Sequence, residues 1–460
     1  MSAKCVAVSA AVSAALVAMI SFYIYTMLFS PVPLPNIDVD KYWGPSSRAK
    51  QFDSSVVQPY KIDYSADVIN KLRNRLAEPL NLVEPLEGVG FRYGFNAHKL
   101  RELIKYWRDD YLPRWNERQQ FLNGLAQYTT TIQGLKIHFI HTKDQTAKAK
   151  NVVPLLLLHG WPGSVREFYE IIPKLTKANE DTAFIVVAPS LPGYGFSEGA
   201  TKPGLGPTEV AVLLRNLMIK LGYNKFLIQG GDWGSVIGQA IATIYPENVI
   251  GYHSNMCATM TPFSQFKAQI MSIYPSLFLD EQYVDWIFPL GEKFLNILEE
   301  SGYFHLQSTK PDTIGHALSN NPVGLAAYIL EKFSTWTMLK YRDVDDGGLD
   351  NHFSKDALFD NLMFYYLSNS ITTSVRLYSE FATKRHFLLN INRVPTEVPT
   401  GCARFRYDLA HETDWQLSSK FKNLIHSTWH QKGGHFIALE LPEVLYNDFI
   451  QFVKKLNIGK

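Results

Sequence analysis

The 460-residue sequence predicts an α/β fold, a parallel β-sheet covered by helices and interrupted late by a helical insertion. Continuous apolar runs at Val152–Leu158, Ala183–Ala188 and Phe226–Gln229 each end at a turn rich in Gly or Pro, and helix-length segments separate them. Strands buried on both faces read this way. The rhythm breaks between about 256 and 385 into helical segments rich in Phe, Tyr, Trp and Leu, and strand character returns only near Val394–Tyr407 and His426–Lys432. Directly after the third run comes Gly230-Gly231-Asp232-Trp233-Gly234. Its flanking glycines fit a sharp strand-to-helix turn that holds the central side chain exposed at a helix N-terminus.

From the N-terminus, Val6 to Leu28 is uncharged and apolar. About 23 residues rising about 1.5 Å each cover a hydrocarbon layer of roughly 30 Å. Residues 1–30 are therefore expected to be a membrane-spanning anchor. A cleaved signal fits less well, because the run ends in Phe22-Tyr-Ile-Tyr-Thr-Met-Leu-Phe29 and not in a small-x-small site. Lys4 precedes the helix and Lys41, Arg48 and Lys50 follow it, a bias toward a cytosolic C-terminal side. Residues 31–128 form a lead-in region packed on the core, opening with the stiff Pro31-Val-Pro-Leu-Pro35 and showing helical periodicity at Ala97–Trp107. Residues 129–255 are the first part of the sheet core and begin with a hairpin around Gly134. Residues 256–385 form a helical cap over the strand C-terminal ends, where open α/β sheets place their sites, and 386–460 return to the core.

A 46% hydrophobic composition supports a large core, and a net charge of +2 with no basic block argues against nucleic acid as a partner. Aromatic residues at 13% favour an apolar pocket or a lipid-adjacent surface. Cys5, Cys257 and Cys402 show no CxxC spacing, which argues against a disulfide framework and for reducing surroundings.

The chemistry follows from Asp232. A serine in such a turn must lose a proton as it attacks a carbonyl, whereas an aspartate with its ordinary pKa of about 3.9 is already ionised and can displace a leaving group from an sp3 carbon. The expected intermediate is an alkyl ester. Leu158-His159-Gly160-Trp161-Pro162-Gly163 ends the first buried strand and can offer the Trp161 N–H to an oxyanion, with the Trp233 N–H as second donor. The base is expected near the C-terminus: His435 follows a candidate strand at Gly433-Gly434, whereas His411, His426 and His430 read as structural. Asp408 closes the run Gly401–Tyr407 and is the candidate acid, with Glu412 as rival and Glu440 as a weaker one.

The segments HGWPGS from His159, LPGYGFS from Leu191, GGDWGS from Gly230, LAAYILEKFSTWT from Leu325 and GGHF from Gly433 together resemble the microsomal epoxide hydrolase family, above all the insect juvenile hormone epoxide hydrolases. The likeness runs over nearly the whole chain, including the N-terminal apolar helix and Tyr42-Trp-Gly44. It implies an α/β-hydrolase fold with a helical cap, an endoplasmic reticulum membrane location, and hydrolysis of a small apolar epoxide by water to a vicinal diol without metal or organic cofactor. By the same resemblance Asp232 is nucleophile, His435 base and Asp408 acid, and Tyr303 and Tyr378 polarise the epoxide oxygen. Family members use Asp or Glu as the acid, which keeps Glu412 open. Two other readings remain at this point: a haloalkane dehalogenase, which also pairs an elbow aspartate with a tryptophan, and a catalytically silent membrane-tethered protein that binds a lipid or terpenoid.

Overall fold

A computed structural model describes residues 3–29, 32–48, 56–143, 149–177, 182–259, 261–456 and 458. Pro31 and Lys50 lie outside them, as do the side chains of Lys4, Cys5 and residues 27–29. The three apolar runs become β4 (Asn151–Leu158), β5 (Thr182–Pro189) and β6 (Phe226–Gly230), parallel neighbours whose leucines and valines, except the exposed Val152, are buried. Before them come β1 (Gln58–Tyr60), β2 (Gln127–Ile132) and β3 (Leu135–Thr142), all antiparallel, with β2 and β3 forming the predicted hairpin. Gln133 and Gly134 both take positive φ in its two-residue turn, the backbone that such a hairpin requires. After them come β7 (Val249–Ser254), β8 (Thr400–Phe405) and β9 (Leu424–His430), all parallel. The sheet order is β1-β2-β3-β5-β4-β6-β7-β8-β9.

Because β4, β6, β8 and β9 run in one direction, the turns that follow them open on one edge of the sheet. Helices from Pro262–Met271 to Lys384–Leu389 fill the chain between β7 and β8. The lead-in region is tied to this helical layer by a buried ion cluster. Asp360, on the helix Lys355–Ser368, accepts from Arg118 Nη2 at 2.6 Å, Arg166 Nε at 3.0 Å and the Tyr111 hydroxyl at 2.9 Å. A buried carboxylate with two guanidinium partners and a phenol is fully satisfied, and removing any partner would leave charge stranded in the interior.

One expectation needs revision. Cys257 and Cys402 form a disulfide, with Cα atoms 5.9 Å apart. Without CxxC spacing they were expected to be unpaired, but β7 and β8 are parallel neighbours with Ser254 opposite Cys402, and Cys257 follows just after. Ala3–Phe29 is one helix, and the described side chains from Val12 to Tyr25 are exposed. Among the described residues, however, no helix is long and apolar enough to cross a membrane.

Candidate active site

The turn after β6 puts Asp232 at φ +47°, a left-handed conformation that costs a non-glycine residue about 1–3 kcal/mol. Gly231 precedes it as N-cap of the helix Asp232–Ile244, so the carboxylate stands at a helix N-terminus with Trp233 in the first turn behind it. Asp232 Oδ1 accepts from the Trp161 backbone N–H at 2.8 Å. A Cβ on Gly160 would strike the Asp232 carboxylate, so the turn after β4 needs glycine there to let the two loops meet.

That turn is fixed from above. Asn361 Nδ2 donates to Pro162 O at 2.9 Å, the Ser164 hydroxyl donates to Asn361 Oδ1 at 2.7 Å, and the Tyr365 hydroxyl donates to Gly163 O at 2.7 Å. His159 is buried and structural: the Leu191 N–H donates to its Nε2 at 3.1 Å, and burial pulls its pKa down to about 4.

His435 lies in the turn after β9, its Nε2 3.4 Å from Asp232 Oδ2 and its Nδ1 2.7 Å from Asp408 Oδ1. Asp408, in the turn after β8, also accepts from the Leu409 N–H at 2.7 Å. Nucleophile, imidazole and acid thus form one chain of contacts from three strand ends. Burial alone would lower the imidazole pKa, but Asp408 and Asp232 on either side override it and push it up to about 10. The resting site is therefore an Asp232–His435–Asp408 cluster with the imidazole protonated.

The rivals are occupied elsewhere. Glu412 accepts from the Thr259 N–H at 3.1 Å and hydroxyl at 2.7 Å, and from the Ser264 hydroxyl at 2.7 Å, which pins the start of the helical layer. Glu440 accepts from the Gly434 and Phe436 N–H groups, both at 2.9 Å, and so shapes the turn that carries His435. His411 contacts Phe405 O at 2.7 Å, while His426 and His430 join His253 around the buried Asp448, at 3.0, 2.7 and 2.9 Å respectively. His253, His426 and Asp448 could in principle hold a metal ion. The Nδ1 atoms of both histidines are buried without a partner, so metal binding through Nε2 would leave two orphaned N–H donors; the set fits neutral imidazoles donating to Asp448 better.

The ceiling of the site is aromatic. Tyr303, on the helix Gly302–Thr309, stacks on Trp161 with ring centroids 5.4 Å apart, and Tyr378, on the helix Ile371–Phe381, meets Trp233 edge-on at 4.8 Å. The two tyrosine rings stand 6.0 Å apart. Burial, and then the negative charge of Asp232, hold the Tyr303 phenol well above 10; burial, Tyr303 and Asp232 do the same for Tyr378. Both are neutral hydrogen-bond donors at any ordinary pH. Trp336, inside the segment LAAYILEKFSTWT, packs against Tyr303 at 5.1 Å and the His435 ring at 4.9 Å, and its carbonyl accepts from the His435 N–H at 3.0 Å. Residue-type reasoning did not single out Asn361, Tyr365 or Trp336, whose roles exist only in three dimensions. Glu167 was likewise missed, although it lies just beyond a motif already quoted.

Known proteins resemble this chain in sequence and fold. Residues 57–168 match the family model for the epoxide hydrolase N terminus, and 153–344 match that for the alpha/beta hydrolase fold. The chain is 47% identical to juvenile hormone epoxide hydrolase 2 of Ctenocephalides felis, over 94% of this chain and 92% of that protein. It is 39% identical to epoxide hydrolase 1 of Oryctolagus cuniculus, over 90% and 92%. The crystal structure of juvenile hormone epoxide hydrolase from the silkworm Bombyx mori superposes with a TM-score of 0.89 at 44% identity, covering 91% of this chain and 99% of that one.

Proposed function

This chain belongs to the epoxide hydrolase family, and from that premise we propose how its residues open an epoxide and which epoxides it takes. The carrying observation is the placement of Asp232: one carboxylate oxygen lies 2.8 Å from a backbone donor, and the other lies 3.4 Å from an imidazole that Asp408 holds from behind. In the first step Asp232 Oδ2 attacks an epoxide carbon, the ring C–O bond breaks, and the departing oxygen takes a proton from the phenol of Tyr303 or Tyr378, both hydrogen-bonded to it. Neutral phenols suit this role because they stabilise the alkoxide without forming an ion pair with Asp232. Alkylation removes the charge on Asp232, and with it one of the influences that keep His435 protonated. The imidazole then gives up its proton, which replaces the one the phenol donated, and becomes a base.

In the second step His435 Nε2 takes a proton from water, and the water oxygen adds to the ester carbonyl carbon. The Trp161 and Trp233 N–H groups receive the resulting oxyanion, a kind of contact worth about 3–4 kcal/mol per donor. The carbonyl C–O(alkyl) bond then breaks, the alkoxide takes the proton from His435, the diol leaves, and the regenerated Asp232 carboxyl gives its own proton back to His435. Asp408 stays ionised and holds the ring's orientation.

Single turnover in oxygen-18 water tests the covalent route. Label should enter the Asp232 carboxylate and be missing from the first diol; label found directly in that diol would refute it. Tyr303→Phe and Tyr378→Phe should each slow ester formation by about 100-fold, and the double variant should lose much more, as expected when a proton donor is removed. Rapid-quench measurement of ester formation gives these rates. Halide release assayed beside diol formation separates the dehalogenase reading, which the two phenols above Asp232 disfavour.

The substrate is a lipophilic epoxide, with juvenile hormone the first to try, since the flea and silkworm relatives are named for it. Walls formed by Trp161, Trp233, Tyr303, Phe304, Trp336 and Tyr378 suit an apolar chain. We place the protein at the endoplasmic reticulum membrane through the helix Ala3–Phe29, supported by the uncharged run Val6–Leu28. Lys41 and Arg48 favour a cytosolic catalytic domain, whereas the Cys257–Cys402 disulfide favours the lumen. Protease treatment of sealed microsomes decides: digestion of the catalytic part without detergent places it in the cytosol, and protection places it in the lumen.

A further inference from the structure

A second carboxylate shares the space around Asp232. Glu167 lies on the single-turn helix Val165–Phe168, just beyond the HGWPGS turn. A cavity lined by His159, Gly160, Asp232, Asn255 and His435 includes Glu167 in its wall. Its room for the centre of a water molecule is about 20 Å³, above the roughly 10–15 Å³ that one water requires. Neither Tyr303 nor Tyr378 lines it, so it lies apart from the phenols, beside the nucleophile and the base.

Glu167 is aimed there by its neighbours. A Cβ on Gly163 would collide with Glu167 Oε1, so the side chain folds back over the turn just as Asp232 folds against Gly160. Arg166 is clamped by Asp360 at 3.0 Å and Glu170 at 2.8 Å, and Phe168 is buried, which fixes the short helix on both sides of Glu167. Among the described residues no side chain hydrogen-bonds to the Glu167 carboxyl, and only the Ser164 backbone amide serves it. Burial, reinforced by Asp232 and opposed by His435, raises its pKa to about 8, so at neutral pH it is chiefly a neutral carboxylic acid.

We propose that Glu167 holds the hydrolytic water, its carboxyl oxygen accepting one O–H while His435 Nε2 accepts the other, so that a lone pair of the water faces the ester carbonyl of alkylated Asp232. This rests on the covalent reading given above. The proton transferred goes to His435; Glu167 keeps its own. A carboxylate at the same point would repel the oxyanion that forms one bond away, which is why the neutral form serves.

Rapid-quench single turnovers on the purified full-length chain test the proposal, with ester on Asp232 followed by mass spectrometry in wild type, Glu167→Gln and Glu167→Leu. An amide oxygen still accepts from water, so Glu167→Gln should hydrolyse the ester within a few-fold of wild type and lose the alkaline fall in hydrolysis rate that wild type shows as the Glu167 carboxyl deprotonates. Leucine should leave ester formation within a few-fold and slow its hydrolysis by about 100-fold, so that ester accumulates. Equal slowing of both steps in Glu167→Leu, or no accumulation, overturns the proposal. If leucine prevents folding, the alkaline limb in Glu167→Gln decides alone, and its persistence is the refuting result. Absence of any ester in wild type would instead overturn the covalent reading.

Discussion

Asp232→Ala is expected to abolish diol formation, a loss of about 10⁴-fold or more in kcat, because the substitution deletes the atom that forms the first bond. The other carboxyls near the site cannot substitute for it. Glu167 is held largely protonated at neutral pH, and Asp408 lies behind the imidazole with its Oδ1 already engaged by His435 and the Leu409 N–H. The fold should persist, since Asp232 stands in a turn beyond the sheet and its side chain is part-exposed. Binding of a non-hydrolysable analogue by calorimetry, measured beside diol output, checks both statements; intact binding with residual turnover above about 1% would mean that another group attacks the epoxide.

His435→Gln should give a different failure. Ester formation survives, because the attack requires only Asp232 and the phenols, but hydrolysis falls by about 10³-fold or more as no base remains to take the water's proton. The enzyme then stops after one turnover with its substrate attached. The pH dependence of wild type carries the same signature. His435 has its pKa pushed up to about 10 in the resting site, so the protonated partner of Asp232 is present below that value and is lost as pH rises through it. Ester hydrolysis requires the neutral ring, so its rate climbs with pH from the acid side, through a pKa lower than 10 because alkylated Asp232 no longer carries charge. Stopped-flow traces of the two phases against pH separate these limbs, and one shared pKa for both phases would contradict the account.

The elbow, the HGWPGS turn and the GGHF turn are legible in sequence because each is local: glycine at fixed offsets and one reactive side chain between. The buried strands are legible for the same reason, since burial on both faces writes itself as an unbroken apolar run. β7 escaped notice because Val249–Ser254 contains glycine, tyrosine and histidine, and His253 is tolerated only by its pairing with Asp448, 195 residues away. The three-residue β1 is too short to show a period. Asp408 could be preferred to Glu412 from strand placement, yet the choice becomes firm only once Thr259 and Ser264 are seen to occupy Glu412. Supporting residues such as Asn361 and Tyr365 act through geometry that no spacing rule records. The cysteine pair was misread because pairing depends on which strands lie side by side.

That pair has an evolutionary consequence. Cys257 and Cys402 stand at the two ends of the helical layer, so the covalent link closes the neck of the insert where it leaves and rejoins the sheet. Joining positions 145 residues apart removes about 5 kcal/mol of chain freedom from the unfolded state by loop-closure reckoning. With its collar fastened, the insert is free to drift in sequence, lengthen or exchange its aromatic lining without prising apart the strands that carry the attacking and orienting acids. Diversification toward new guest molecules can then proceed in one module while the reaction machinery stays as it is.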